Sequence, residues 1–172
     1  MEALYVTYCS GKKKPIDEGT PEQLYDSRRI TDFIALCKSK GYDWAILSAK
    51  YGLFFPYEVK KNYNVTFKSV AYECRIVKDG IVLSQRESLK HFSSLVLQVR
   101  KCILENGIER VVFYCGSPVK WRKCYLYVLH KGIDCCEINH SKWNDLVEHI
   151  EKMHSDGTGK IQISTRLGDL AQ

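Results

Sequence analysis

The sequence predicts an α/β domain in which helices cover both faces of a mostly parallel four-stranded sheet. Three observations support this prediction: 172 residues suffice for one domain of this kind, strand-like apolar runs alternate with helical segments, and each run ends in a small, polar or reactive cluster. The four runs are residues 4–9, 44–49, 111–115 and 133–138. For such a chain we expect a three-layer α/β/α sandwich with the strand order 2-1-3-4.

The first helix is predicted over residues 21–40. Pro21 occupies an early helical position, Thr20 precedes it as a cap, and Gly41 follows as a stop. Together with the first two strands, this helix forms a β-α-β unit, whose crossover is right-handed in nearly all cases. We therefore expect those strands to run parallel and to end at the same edge of the sheet.

The middle of the chain departs from this alternation and then returns to it. Residues 57–82 are interpreted as an excursion from the sheet, because Asp79 and Gly80 separate two apolar stretches and predict a hairpin or bulged turn. Apolar residues at three- and four-residue spacing then predict a long helix over about 84–106, which Gly107 ends.

The last third of the chain contains two further predicted helices. One is capped by Ser117, begins at Pro118 and ends before Gly132. The other covers about 141–153 and precedes a tail at 155–172 for which the sequence predicts no definite structure. All these elements are assigned to a single domain of residues 1–172.

Charge and composition limit the possible partners. The formal net charge is +6, and the basic residues concentrate at 12–14, 60–61 and 120–123. This concentration favours an anionic partner, either nucleic acid or a nucleotide-like ligand, although such runs also occur on ordinary solvated surfaces. No apolar stretch is long enough to span a membrane, and the amino terminus enters a strand-like run directly, so we expect a cytoplasmic protein.

The eight cysteines do not have the spacing of a metal site. No Cys-x-x-Cys pair is present, and the adjacent Cys135 and Cys136 point to opposite faces of a predicted strand. Most cysteines are therefore expected to be buried thiols, and neither a metal nor another cofactor is predicted. Cys9 and Cys115 differ from the others because both lie at the ends of predicted strands.

The clusters after the first two strands contain the residue types of an anion site. A glycine lets backbone amides turn toward a ligand, and ammonium groups neutralise its charge. Polar side chains directly after a buried strand are costly unless they are paired or face a cleft, and Lys50 could neutralise an anion or act as a base. An ordinary solvated turn is the alternative. The predicted binding residues here are Ser10, Gly11, Lys12, Lys13, Ser48 and Tyr51.

The third and fourth strands end in two further candidate clusters. Cys115 precedes Gly116 and Ser117 at a helix amino terminus, where backbone amides bind anions and the helix field favours a thiolate. A buried thiol beside a helix cap is the alternative. Asn139 and His140 end the fourth strand, and His140 is the only histidine at a predicted strand end. The predicted catalytic residues are Cys9, Lys50, Cys115 and His140.

Several motifs stand close together in the first part of the chain: Cys9-Ser-x-Lys12-Lys13, Leu24-Tyr25-x-Ser27, the block Ile46-Leu47-Ser48-Ala49-Lys50-Tyr51-Gly52-Leu53, and Tyr63 with Thr66. Over roughly residues 4–67 they resemble an uncharacterised family of small proteins from archaea, bacteria and phages. That family is similar to a domain of archaeosine synthase, which modifies 7-deazaguanine in transfer RNA. It is more distantly similar to the uracil-DNA glycosylase superfamily, whose four-stranded sheet has the order 2-1-3-4.

The resemblance implies a nucleobase- or nucleotide-handling protein with a uracil-DNA glycosylase-like fold, and it suggests a role in nucleic-acid modification of the 7-deazaguanine type. It places His140 and Ser141 where the superfamily has a histidine-containing motif in a base pocket. Two alternatives remain open. One is a non-catalytic nucleic-acid-binding module, and the other is a thiol-based enzyme that uses Cys9 or Cys115 on a small metabolite.

Overall fold

A computed structural model describes residues 1–70, 73–114, 123–134 and 160–164 of the chain. These residues form a mixture of strands and helices, with a run of consecutive strands in the middle of the chain. In chain order the elements are β1 (Ala3–Tyr8), β2 (Glu18–Gly19), α1 (Pro21–Leu24), α2 (Arg28–Lys40), β3 (Trp44–Ser48), β4 (Gly52–Phe54), β5 (Lys60–Lys61), β6 (Val65–Val70), β7 (Glu73–Lys78), β8 (Ile81–Val82), α3 (Gln85–Glu105), β9 (Arg110–Tyr114), α4 (Lys123–Asp134) and β10 (Lys160–Ser164).

The main sheet has the order β10-β9-β1-β3-β4. Its three inner strands are parallel, with β1 between β9 and β3 as the predicted order requires. Both edge strands are antiparallel to their neighbours. The α/β class is thus confirmed, but the sheet is mixed rather than mostly parallel. The reason is that a tight turn returns the chain from β3 directly into β4, and such a turn can only make an antiparallel pair.

The structure also corrects the end of the helix that the sequence predicts from Pro118 to just before Gly132. Gly132 lies inside α4, which continues to Asp134, so Ile133 is helical and not the start of a strand. A Cβ atom at Gly132 would lie 2.5 Å from Cγ1 of Val99, and the glycine therefore permits close packing of α4 on α3. The remainder of the predicted fourth strand lies outside the described residues. The sheet position expected for it, beside β9, is occupied by the antiparallel β10.

The single helix predicted over 21–40 is divided into α1 and α2. Tyr25 is extended, and Ser27 starts α2 by accepting a hydrogen bond from the amide of Ile30 at 3.4 Å. The helix is interrupted here because the loop after β1 pairs with the segment between α1 and α2: the Lys14 amide donates to the carbonyl of Leu24. The predicted stop is confirmed, since Gly41 ends α2 at a φ of +68°.

A separate antiparallel sheet contains β6, β7 and β8. Asp79 and Gly80 make the turn between β7 and β8 with φ values of +50° and +79°, as a type I′ hairpin requires. The Cys74–Cys124 disulfide joins this sheet to α4. This pair is an exception to the expectation that most cysteines are buried thiols; the described free cysteines are Cys9, Cys37 and Cys102, of which Cys9 and Cys37 are buried.

Helices pack on both faces of the main sheet. Tyr114 on β9 contacts Phe33 of α2, with ring centroids 5.5 Å apart, whereas Tyr8 on β1 contacts Tyr125 of α4 at 5.4 Å. These contacts lie on opposite faces, because Tyr114 pairs with Thr7 and neighbouring side chains of a strand alternate in direction. In the part of the chain that the structure describes, no helix has both the length and the apolar character needed to cross a membrane.

Candidate functional site

A cavity of about 350 Å³ opens at the carboxyl end of β1. β1 ends here beside its parallel neighbour β3, and the amide of Cys9 donates to the carbonyl of Leu47 on β3 at 3.0 Å. The walls come from the loop after β1, the start of α2, the strand β6 and the start of α4. The lining residues are Tyr8, Cys9, Ser10, Gly11, Ser27, Arg29, Thr66, Phe67, Ser69, Cys124 and Tyr125.

Arg29 brings a positive charge to one wall of the cavity. Its Nη1 donates to Oγ1 of Thr7 at 2.7 Å, and its Nη2 donates to the carbonyl of Tyr8 at 2.8 Å. The guanidinium carbon lies 3.5 Å from the centroid of the Tyr8 ring, a cation–π arrangement. Because these contacts hold the planar group in place, the guanidinium is oriented before any ligand binds.

Aromatic rings and hydroxyl groups line the rest of the cavity. The rings of Phe67 and Tyr125 pack with their centroids 4.6 Å apart, and Phe67 is supported from below by Phe92 at 5.1 Å. Hydroxyls come from Ser10, Ser27, Thr66 and Ser69. The cavity therefore offers an aromatic ligand both packing surface and hydrogen-bond partners.

Cys9 contributes a thiol to the residues that line the cavity. The residue is buried, with 4% of its surface exposed. The Ala49 amide donates to its Sγ at 3.4 Å, and the hydroxyl oxygen of Tyr125 also lies 3.4 Å from Sγ. The sulfur thus has two polar neighbours at the cavity wall, where it can contact a ligand.

Ser48 belongs to a buried hydroxyl cluster behind the cavity. Its Oγ donates to the hydroxyl of Tyr63 at 2.9 Å, and that hydroxyl is hydrogen-bonded to the hydroxyl of Tyr25. Burial raises the pKa of both phenols well above the usual range, so both remain protonated at neutral pH. Ser48 Oγ also accepts from the amides of Lys50 and Tyr51, at 3.1 and 3.0 Å, and thereby shapes the turn after β3.

The two predicted lysines of the first loop have different surroundings. Lys13 is half-buried, with its Nζ 4.1 Å from the centroid of the Tyr63 ring, and burial lowers the pKa of its ammonium group. Lys12 is exposed, and its Nζ lies 3.8 Å from the carboxylate of Asp26. Neither side chain lines the cavity.

Lys50 and Tyr51 lie at the same sheet edge as Cys9 because β1 and β3 run parallel. Lys50 is exposed, with its Nζ 5.2 Å from the centroid of the Tyr51 ring. The Tyr51 hydroxyl donates to the carbonyl of Lys61 at 2.8 Å. Both residues are therefore on the surface beside the cavity and not in its lining.

The cavity brings together three of the predicted site residues, Cys9, Ser10 and Gly11. The predicted residues Cys115, Gly116, Ser117, Asn139 and His140 lie outside the described residues. Sequence reasoning missed several lining residues because they follow no predicted strand end: Arg29, Phe67, Ser69 and Tyr125. Ser27 and Thr66 belong to the motifs that carry the family resemblance, and that was the available signal for them.

Metal binding has no support within the described ranges, where no group of three or more His, Cys, Asp or Glu side chains is placed to hold an ion. The charged and polar groups of the cavity are instead a guanidinium, a thiol and hydroxyls. This donor set fits an organic ligand with an anionic group.

Comparison with known proteins gave one result. A family model described as a family of unknown function, DUF6884, matches residues 4–121, which is about two thirds of the chain. The matched segment includes Cys9, Arg29 and Thr66 of the cavity. Comparisons with curated proteins and with solved structures found no match.

Proposed function

The chain belongs to the family of unknown function DUF6884, and we propose that it binds a nucleotide-like ligand, an aromatic base that carries an anionic group, in the cavity at the carboxyl end of β1. The observation that carries this proposal is the combination of an oriented guanidinium, an aromatic wall and several hydroxyls in one cavity. Its volume of about 350 Å³ falls at the small end of the range of roughly 300–1,000 Å³ for ligand sites.

The position of the cavity in the sheet supports the same proposal. β1 lies between β3, which follows it in the chain, and β9, which comes much later. The chain thus continues from β1 to the strand on one side and returns later to the strand on the other, and a crevice opens outside the carboxyl ends of the strands at such a point. Open α/β folds bind nucleotides and similar ligands in this crevice.

A more specific form of the proposal is that the ligand is a purine or 7-deazapurine nucleotide and that the protein acts in nucleic-acid modification. The support is indirect: the motifs around Cys9, Ser27 and Lys50 resemble an uncharacterised family, and that family is in turn similar to a domain of archaeosine synthase. Of these motif residues, Cys9 and Ser27 line the cavity.

Isothermal titration with guanosine monophosphate, guanosine and inorganic phosphate tests the proposal. We expect the monophosphate to bind, and the double variant Thr66→Val/Ser69→Ala to bind it about tenfold more weakly, because both substitutions remove a hydroxyl from a residue that lines the cavity. The matched control is Thr31→Val/Ser94→Ala, two exposed hydroxyls that bond their own helices. The proposal fails if none of the three ligands binds, or if the cavity variant binds as tightly as the control.

A second candidate function is a thiol-based reaction at Cys9, favoured by the Ala49 amide and the Tyr125 hydroxyl at its sulfur. Alkylation with iodoacetamide, followed by mass spectrometry, tests it. Cys9 should be modified faster than Cys37, since burial raises the pKa of the Cys37 thiol to about 12 and leaves almost no thiolate at pH 8. Equal labelling rates of the two thiols in the folded protein would exclude a reactive Cys9.

A further inference from the structure

We propose that the cavity receives a nucleotide that is part of a single-stranded nucleic acid, and that the phosphate backbone of this strand binds to a basic surface beside the cavity. The inference deepens the proposed function and rests on it, because it names the class of ligand. The surface, called here the basic–tyrosine face, consists of Lys13, Lys50, Tyr51, Lys60, Lys61 and Tyr63.

Two tyrosine rings lie under the lysine side chains of the basic–tyrosine face: Tyr51 is half-buried, and Tyr63 is buried with 8% of its surface exposed. The rings of Tyr51 and Tyr63 meet edge to face, with centroids 5.3 Å apart. The Nζ of Lys13 lies 4.1 Å from the Tyr63 centroid, and those of Lys50 and Lys60 lie 5.2 and 5.6 Å from the Tyr51 centroid. Three ammonium groups are thus held against one pair of rings by cation–π attraction.

Acidic groups neutralise this surface only in part. Lys61 is exposed, and its carbonyl is anchored by the Tyr51 hydroxyl. Glu58 pairs with Lys60 at 3.5 Å, and Glu18 is the strand partner of Lys61. Two carboxylates therefore accompany four lysines. A surface with this excess of positive charge attracts an anion with several charges.

The basic–tyrosine face and the cavity share two short segments of chain. Lys13 follows Gly11 of the cavity by two residues, and Tyr63 precedes Thr66 of the cavity by three. The segments lie side by side, since a Cβ atom at Gly11 would be 3.8 Å from Cγ2 of Thr66. Because a residue spans at most about 3.6 Å, a separation of two or three residues keeps the basic–tyrosine face near the cavity. One nucleic-acid strand can therefore contact both.

The number of cations favours a polynucleotide over a free nucleotide. Arg29 alone can pair with the single phosphate of a mononucleotide at the cavity wall. Four more lysines on the adjoining surface would meet no phosphate in such a complex, whereas the flanking phosphates of a nucleic-acid strand could reach them. The strand must be unpaired at this point, because a base enters a pocket only after it has left the stack.

Fluorescence anisotropy with a labelled single strand of about 12 nucleotides, measured between about 50 and 200 mM salt, tests the inference. We expect the logarithm of the affinity to fall with the logarithm of salt by about 0.7 per phosphate bound. The variant Lys50→Gln/Lys61→Gln should lower this slope by about 1.4 and weaken binding at least about tenfold at low salt. The control Lys40→Gln/Lys101→Gln removes the same charge from α2 and α3 and should bind like the parent.

Three competitors separate the possible results: a duplex of the same sequence, guanosine monophosphate, and inorganic polyphosphate of matched charge. The inference holds if the single strand is preferred over both polymers and the lysine variant alone loses affinity. It is overturned if polyphosphate or duplex binds as tightly, or if both lysine variants bind equally.

The failure of the proposed function has a different signature. In that case the monophosphate does not bind and Thr66→Val/Ser69→Ala leaves the affinity for the single strand unchanged, while Lys50→Gln/Lys61→Gln still weakens it. Such a result overturns the cavity as a base site and with it this inference, and it leaves the basic–tyrosine face as a backbone-binding surface alone.

Discussion

The side-chain amide of Gln98 forms two hydrogen bonds with the main chain of Leu53. Its Oε1 accepts from the Leu53 amide at 2.8 Å, and its Nε2 donates to the Leu53 carbonyl at 3.0 Å. Leu53 lies in β4, the edge strand of the main sheet. Gln98 of α3 thus takes the place of a further strand and satisfies backbone groups that an exposed edge would leave open to another chain.

Replacing Gln98 with leucine should lower the free energy of unfolding by about 1–3 kcal/mol, because the amide and carbonyl of Leu53 then lose their partners beneath α3. Urea denaturation measures the change. Gln85→Leu is the control, since Gln85 is an exposed glutamine in the first turn of the same helix and its loss should cost less than about 0.5 kcal/mol. Equal effects of the two substitutions would contradict the role assigned to Gln98.

Gly132→Ala should destabilise the protein by about 1–3 kcal/mol, although alanine is the better helix former. The added Cβ would lie 2.5 Å from Cγ1 and 2.7 Å from Cβ of Val99. Combining it with Val99→Ala provides the space, so the double variant should lose less stability than the two single variants together. Thermal unfolding of the four proteins measures this coupling, and simple additivity would argue against a close contact.

Reduction of the Cys74–Cys124 disulfide should lower the free energy of unfolding by about 4 kcal/mol, the chain-entropy value for a closed loop of this length. The two cysteines are 50 residues apart in the sequence. Denaturation with and without a phosphine reductant measures the change, and mass spectrometry under non-reducing conditions identifies the bridge. The double variant Cys74→Ser/Cys124→Ser should not respond to the reductant. If the reductant does not change the free energy of unfolding of the parent protein either, the bridge does not form.

Stability should decrease at alkaline pH because of Cys37, which burial keeps protonated in the folded protein with a pKa of about 12. The unfolded thiol ionises near pH 8.5, so its contribution is complete below that pH and is lost as the pH rises toward 12. Between about pH 9 and 11 this thiol lowers the free energy of unfolding by about 1.4 kcal/mol per pH unit.

The control for this prediction is Cys37→Ala, which should show a shallower decrease over the same pH interval. Cys102 contributes to the decrease in both proteins, because burial raises the pKa of its thiol to about 11. Urea titrations at several pH values give the two slopes. Parallel slopes would show that Cys37 is accessible to hydroxide in the folded protein.

The local signals of the sequence were reliable where neighbours in the chain determine the structure. The Thr20-Pro21 start, the Gly41 stop and the Asp79-Gly80 turn all depend on the backbone preferences of one or two residues. The β1-α2-β3 unit also followed from its pattern, because a short crossover leaves one favourable way to return to the sheet.

The same local reasoning failed where a distant residue determines the outcome. Gly132 has the appearance of a helix stop, and only the approach of Val99 on α3 explains why it lies within α4. The helix predicted through Tyr25 is broken where the Lys14 amide bonds to the Leu24 carbonyl, and the hydroxyl of Tyr25 is hydrogen-bonded to that of Tyr63, 38 residues away in the sequence.

The sequence by itself determined the α/β class, the parallel core of the sheet and the edge at which Cys9 and Lys50 both lie, because hydrophobic periodicity and short crossovers are local properties. Only the tertiary structure decided which groups line the cavity. The cavity joins Cys9, Arg29, Thr66 and Tyr125 from four separate segments, and it leaves Lys50 on the surface outside. Such a convergence depends on long-range packing, which a pattern of neighbouring residues does not contain.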